Sequence, residues 1–226
     1  MKKLLLVFLG GLFSINAALA QDDLNIIKDY LSSQRSALNL TQEDVNSPVL
    51  KSTSYSKSMH VQMAYVNQSL AGIEVHNSTS RFAIKDQQVY SARLGFVSNL
   101  TSKINTTSPS IGAQTAVLKA AQSFGLSAGN IEELSGQGNT YVFRAADVSQ
   151  NDIPVQLVFQ KTQDEQYRLA WDLSIYLLDA THYYSVRVDA QSGAILDTHD
   201  WVLHCDFGQG SHEHSAGESV LFGAES

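Results

Sequence analysis

A single cysteine, Cys205, stands in the whole chain, so no internal disulfide can form and burial alone has to hold the fold together. Basic residues are also scarce: 15 against 22 acids gives a formal charge of −7, a poor match for nucleic acid or for anionic membrane surfaces as partners. The chain has no His-Glu-x-x-His, no Gly-x-Ser-x-Gly, no phosphate-cradling glycine loop and no Cys-x-x-Cys. The helical zinc site, the serine nucleophile elbow and dithiol chemistry are therefore missing. The expectation is a chain with no catalytic residues and no cofactor of its own.

Long apolar runs are confined to the start. Met1-Lys2-Lys3 precedes an apolar stretch from Leu4 to Ile15, and Ala18-Leu19-Ala20 leads into Gln21-Asp22-Asp23. A positive start, a short apolar core and an Ala-x-Ala exit describe a secretory signal peptide over residues 1–20, cleaved between Ala20 and Gln21. No later stretch is apolar for long enough to span a bilayer, so a secreted product, extracellular or periplasmic, is expected. Its removal leaves 206 of the 226 residues and, with Lys2 and Lys3 gone, moves the formal charge from −7 to −9. Five Asn-x-Ser/Thr sequons, at Asn39, Asn67, Asn77, Asn99 and Asn105, would matter only in a glycosylating secretory pathway.

What is present is regular alternation. In LAWDLSIYLLDATHYYSVRVDAQSGAIL, Leu169, Trp171, Leu173 and Ile175 share one strand face, with Arg168, Ala170, Asp172 and Ser174 on the other. Tyr184, Val186 and Val188 repeat the pattern before a loop whose Gly193 can take the left-handed conformation. The structural core is expected at Trp171, Leu173, Val186, Val188 and Gly193.

Upstream, residues 22–38 read as a helix capped by Asp22 or Asp23, with Leu24, Ile27, Leu31 and Leu38 as its stripe. Residues 41–58 read as a loop. Strands 60–65, 73–77, 80–85 and 89–97 follow, separated by Ala71-Gly72, Asn77-Ser78 and Asp86-Gln87, and an antiparallel meander is the simplest pairing. SNLTSKINTTSPS, residues 98–110, reads as a linker. A second helix is expected over 113–124, with Gly112 at its N-cap and Gly125 as a left-handed stop. Strands resume at 131–134, 141–145, 155–161, 167–177, 183–189 and 194–203. The fold class is α+β: two modules, 21–100 and 101–204, each a helix packed on an antiparallel sheet, with residues 205–226 as a flexible acidic tail or linker.

Candidate chemistry is sparse. His60, His76 and His182 lie singly in or beside strands, where structural or exposed histidines are usual. His199, His204, Cys205, His212 and His214 are denser; Cys205, His212 and His214 are the candidate zinc ligands, although their spacing in a Gly/Ser-rich tail fits no compact finger. Asp22-Asp23 and Asp164-Glu165 are paired acids placed where helix starts and turns attract acids anyway. Trp171, Tyr176, Tyr183, Tyr184 and Trp201 offer a ligand surface or, where in register with Leu169 and Leu173, core.

The whole pattern resembles a known family. HVQMAYVNQSLAGIEVHNSTSRFAIKDQQVYSARLGFVSNL is similar to the fungalysin/thermolysin propeptide module, through Tyr65, Gly72, Ile73 and Val75, with Glu74 where a proline is usual. SPSIGAQTAVLKAAQSFGL resembles the helix that follows in such propeptides, with Gly112-Ala113-Gln114-Thr115 where relatives tend to show Ser-Ala-Glu-Glu. LAWDLSIYLLDATHYYSVRVDAQSGAILDTHDW is similar to the PepSY-type region, carried by Trp171, Val188, Asp189, Ala190 and Gly193. The resemblance spans residues 24–205.

The resemblance implies a cystatin-like or PepSY-like propeptide that helps a fungalysin-type zinc metallopeptidase fold and blocks its cleft until cleaved away. The partner is that catalytic domain, in cis or in trans, and the zinc belongs to it. No catalytic domain follows Asp206, which leaves a fragmentary or truncated precursor, a free-standing exported inhibitor, or a metal-binding module. Cys205, directly after the last expected strand, could place a thiolate on the partner's zinc or simply pack against the partner.

Overall fold

The computed structural model describes residues 11–202. It is a mixed α+β fold with few helices and two sheets in which almost every pairing is antiparallel. The helices are α1 (Gly11–Gln34), α2 (Gln42–Asn46) and α3 (Ala113–Ser123), with a 3-10 turn at Leu100–Ser102. The strands are β1 (Val49–Ser56), β2 (Val61–Asn67), β3 (Ser69–Leu70), β4 (Ile73–Val75), β5 (Ser80–Lys85), β6 (Gln88–Arg93), β7 (Glu132–Gln137), β8 (Thr140–Arg144), β9 (Ile153–Lys161), β10 (Tyr167–Tyr176), β11 (Tyr183–Asp189) and β12 (Ile195–Asp200).

The first sheet has the order β1-β2-β5-β6. Ile27 and Leu31 of α1, one helical turn apart, bury themselves on Ala64, Val66, Phe82 and Ile84. Three expectations change here. The helix is already formed at Gly11, the first described residue, rather than beginning at an Asp22 or Asp23 cap, so its backbone runs through the expected cleavage junction, and it stops at Gln34; Leu38 lies in the following turn, closed by Asn39 at φ 54. Residues 41–58, expected as a loop, form α2 and β1. Thr41 and Asp44 make a reciprocal capping box for α2, and β1 is an outer strand whose positions are mostly exposed, so it needs no apolar alternation.

The third change concerns the meander. After β2 the chain leaves the first sheet, makes the hairpin β3–β4, and returns as β5. Ala71 at φ 52 and Gly72 at φ 75 give this hairpin the twist of a type I′ turn. Strand β4 pairs in parallel with β9, Glu74 opposite Val158 and Val75 opposite Phe159. Ile73 and Val75 thereby enter the core of the second sheet, which decides the pairing: a three-residue strand gains more by burying two branched side chains there than by continuing a meander. The expected boundary near residue 100 separates the other strands but not β3 and β4.

The second sheet has the order β12-β11-β10-β9-β4-β3, with β8 also on β9 and β7 on β8. Helix α3 lies on its inner face through Ala113, Ala116, Val117 and Ala120. Small residues let the helix approach Leu169, Trp171, Val186 and Val188 closely. Gly112 occupies the N-cap. At the other end Leu126 N–H returns to the Ala121 carbonyl and Gly125, at φ 73, donates to Gln122, the paired bonds of a left-handed helix stop. The expected linker 98–110 is a strap stitched to the sheet. Tyr167 N–H donates to the Lys103 carbonyl at 2.9 Å, Leu169 N–H to Asn105 Oδ1 at 2.9 Å, and Ser110 and Ile111 N–H to the Ala190 carbonyl.

Candidate functional site

Because strand side chains alternate, burying Leu169, Trp171, Leu173 and Ile175 under α3 turns Arg168, Ala170, Asp172, Ser174 and Tyr176 to the outer face. Register then sets their neighbours. Asp172 stands between Arg187 on β11 and Gln156 on β9, and Arg187 stands next to Asp197 on β12. The result is a row of groups running straight across four strands.

Arg187 is the hub of this row. Its side chain is only 3% exposed, and a buried guanidinium has to be paired. Nη2 bonds Asp197 Oδ2, Nη1 bonds Ser185 Oγ, and Asp172 Oδ1 lies 3.7 Å from Nη1. Nε has no partner among the described residues. His76, arriving at the end of β4, puts Nδ1 3.8 Å from Asp172 Oδ2. Burial pushes the Asp172 carboxyl up, against the pull of His76 and Arg187. One strand further out, Glu74 accepts from Lys51 at 2.8 Å, Asn67 at 2.8 Å and Gln156 at 3.3 Å. Burial opposes ionisation of Glu74, but these three donors together hold its carboxyl below the ordinary range.

The two ends of the face differ. At one, Asp189 is fully buried, accepts the N–H groups of Gln191 and Ser192 at 2.8 Å each, and meets Arg168 at 3.2 Å. That carboxylate shapes the turn whose Gly193 sits at φ 78. At the other end Tyr176 and Tyr183 lie 5.2 Å apart, and Trp201, half exposed, meets Tyr183 edge-on at 4.8 Å. Leu178 is 53% exposed. His182 Nδ1 and Asp200 Oδ2 are 2.5 Å apart, and Asp200 also accepts from Tyr183 and Val202 N–H. The His182 contact is the main reason the Asp200 carboxyl falls to about 2.

Trp171, Leu173, Val186 and Val188 lie in the core beneath α3, and Gly193 lies at the turn. Tyr184 is half-buried and stacks between His182 and Phe124 of the α3 stop, so it serves the packing rather than the outer face. His60 is exposed beside the Tyr55 hydroxyl, and His199 is exposed on the outer strand β12. Asp164 and Glu165 form the β9–β10 turn, where Thr162 and Lys161 bind them. Asp22 and Asp23 line a groove of about 670 Å3 beside α1, together with Asp29 and Asp86. Among the described residues no three His, Cys, Asp or Glu side chains come together as a metal site. The candidate ligands Cys205, His212 and His214, and the whole 205–226 tail, lie outside the described residues, as do residues 1–10 of the expected signal peptide.

The sequence reading missed the charged row. It weighed His76 singly and noted Asp172 only as a residue turned outward. The available signal was the pairing of Asp172 with Arg187, which a hairpin register from the 177–182 turn would have aligned. What this face can do chemically is bind: it offers fixed charges in alternating order and an aromatic patch beside them.

No protein-family model matches the chain, and no curated protein matches it in sequence. Among solved structures it is similar to the Bacillus megaterium YpeB C-terminal domain, at 12% sequence identity and a TM-score of 0.37, over 80% of this chain. The chain spans 64% of that neighbour, less than two thirds of its length.

Proposed function

We propose that the chain is a non-catalytic propeptide module that inhibits a secreted fungalysin-type zinc metallopeptidase and assists its folding. The observation that carries this reading is where the resembling sequence blocks meet. Gly72-Ile73-Glu74-Val75, from the block similar to the fungalysin/thermolysin propeptide module, docks through β4 on β9. Strand β9 is also the neighbour of β10, which carries Trp171 of the PepSY-like block. Two stretches chosen on sequence alone, more than ninety residues apart, thus share one sheet and one core.

The physical logic supports the reading. A surface of preset charges with a half-exposed Trp201, Tyr183 and Leu178 beside it has the make-up of a protein-docking patch, where aromatic side chains carry most of the energy. A module joined to its target acts at an effective concentration on the order of millimolar, so modest intrinsic affinity is enough and cutting the tether permits release. The zinc would be the partner's.

The test is refolding of a denatured fungalysin-type catalytic domain with and without the chain. A higher yield with wild type, lost on Tyr183→Ala/Trp201→Ala, is the expected outcome. An unchanged yield with wild type counts against the chaperoning role.

A further inference from the structure

His76 is where the excursion from the first sheet lets go of the second. Its N–H donates to the Phe159 carbonyl at 3.0 Å, and the chain then turns away through Asn77 at φ 58. Its side chain is 19% exposed and faces Asp172 at 3.8 Å, too far for a hydrogen bond. Among the described residues His76 has this contact and no side-chain hydrogen bond.

Every element around it contributes a charged or titratable group. Asp172 comes from β10, Arg187 from β11 and Asp197 from β12. Glu74, on its own strand, is held by Lys51 of β1. Lys161, which pairs with Glu165, and Tyr167 line the same cleft of about 220 Å3 as His76. With His76 neutral the row is complete: Arg187 lies between two carboxylates. An imidazolium would be a second cation beside a buried guanidinium, with little water and no acceptor at hydrogen-bond distance.

We propose that His76 is an acid-sensitive latch: uncharged, it lets β4 lie against β9; charged, it loosens the hairpin β3–β4 from the second sheet. Ionisation of His76 is pushed down, mainly by burial; Arg187 adds to this, while Asp172 and Asp197 pull the other way. A histidine whose closed-state pKa lies below the ordinary 6.5 stabilises the closed seam fully above that pH, and the contribution is lost as the pH falls further. Asp172 runs the other way, since its raised carboxyl is relieved by protonation as the pH drops toward 3.8. The loosening therefore belongs to mildly acid conditions, before Asp172 compensates.

The latch concerns the chain alone and stands or falls apart from any peptidase. Amide hydrogen exchange in the full chain, corrected for intrinsic rates, at about pH 7.5 and about pH 5.5 reads it directly. The His76 amide, which crosses the seam to the Phe159 carbonyl, should lose protection several-fold on acidification while Trp171 and Leu173 keep theirs, and His76→Gln should abolish the difference. Equal loss at all three amides, no loss at residue 76, or the same loss in His76→Gln would overturn the latch. An NMR titration of the His76 ring in wild type is independent of whether the variant folds: a midpoint below 6.5 supports the latch and one at or above 6.5 refutes it.

Discussion

The indole Nε1–H of Trp171 donates to the carbonyl of Ile111 across 2.9 Å, joining the centre of β10 to the strap that leads into α3. One side chain therefore fills the core and fixes the entry of the helix that covers it. Trp171→Ala is expected to cost about 3–5 kcal/mol. Trp171→Phe keeps a ring but orphans the carbonyl, at about 1–3 kcal/mol plus some packing loss. Urea unfolding measures both, and a cost under about 1 kcal/mol for the alanine variant would show that this face is not core.

Asp44 closes the seam between the sheets. It is 3% exposed and accepts from Thr41, Asn99 and Leu100 N–H at 2.8, 2.7 and 2.9 Å. Buried Gln68 stands beside it and exchanges two hydrogen bonds with the backbone of Val97. Asp44→Ala should destabilise by about 2–4 kcal/mol, because three backbone N–H groups, that of buried Leu100 among them, lose their acceptor. Asp44→Asn, which retains one acceptor oxygen, should cost less in the same unfolding assay.

Acid should weaken the fold through carboxylates held below their ordinary range. Glu74, Asp189 and Asp200 are all depressed, Asp200 to about 2. A depressed carboxyl contributes stability above its unfolded pKa, 4.5 for Glu74 and 3.8 for the two aspartates, and loses it as the pH falls through the folded value. Urea midpoints measured against pH should therefore drop below about pH 4.5, and Glu74→Gln should flatten the upper part of that drop. A midpoint that holds constant down to about pH 3 would contradict these assignments.

Two glycines should respond differently to alanine. At Gly95 a Cβ would stand 2.8 Å from the Ser78 carbonyl oxygen, a backbone atom that cannot rotate away, so Gly95→Ala should cost about 1–3 kcal/mol or more. At Gly72 a Cβ meets nothing within 4 Å, and only φ 75 opposes it, at about 1–2 kcal/mol. Thermal unfolding of both variants separates a collision from a conformational preference.

The parts of this fold that could be read from sequence are those in which one local pattern decides. Trp171 and Leu173 alternate with outward residues, Gly125 stops α3, and Ala71-Gly72 and Asp86-Gln87 mark turns with positive φ. Strand β1 was hidden because an outer strand with exposed positions carries no apolar period. The parallel seat of β4 depends on Val158 and Phe159, more than eighty residues away, and no local signal reveals a long-range pairing. The row His76–Asp172–Arg187–Asp197 was hidden for the same reason: it draws on four strands, and each member alone looks like an ordinary surface residue.

Central to the proposed function is that this polypeptide would restrain a peptidase through its surface and not through a reactive group of its own. The most direct check is peptide hydrolysis by the catalytic domain of a fungalysin-type metallopeptidase as the purified chain, residues 21–226, is added in increasing amount. The account expects hydrolysis to fall saturably toward zero, and the chain alone to release no product. Hydrolysis unaffected by saturating chain, or turnover by the chain itself, would contradict it.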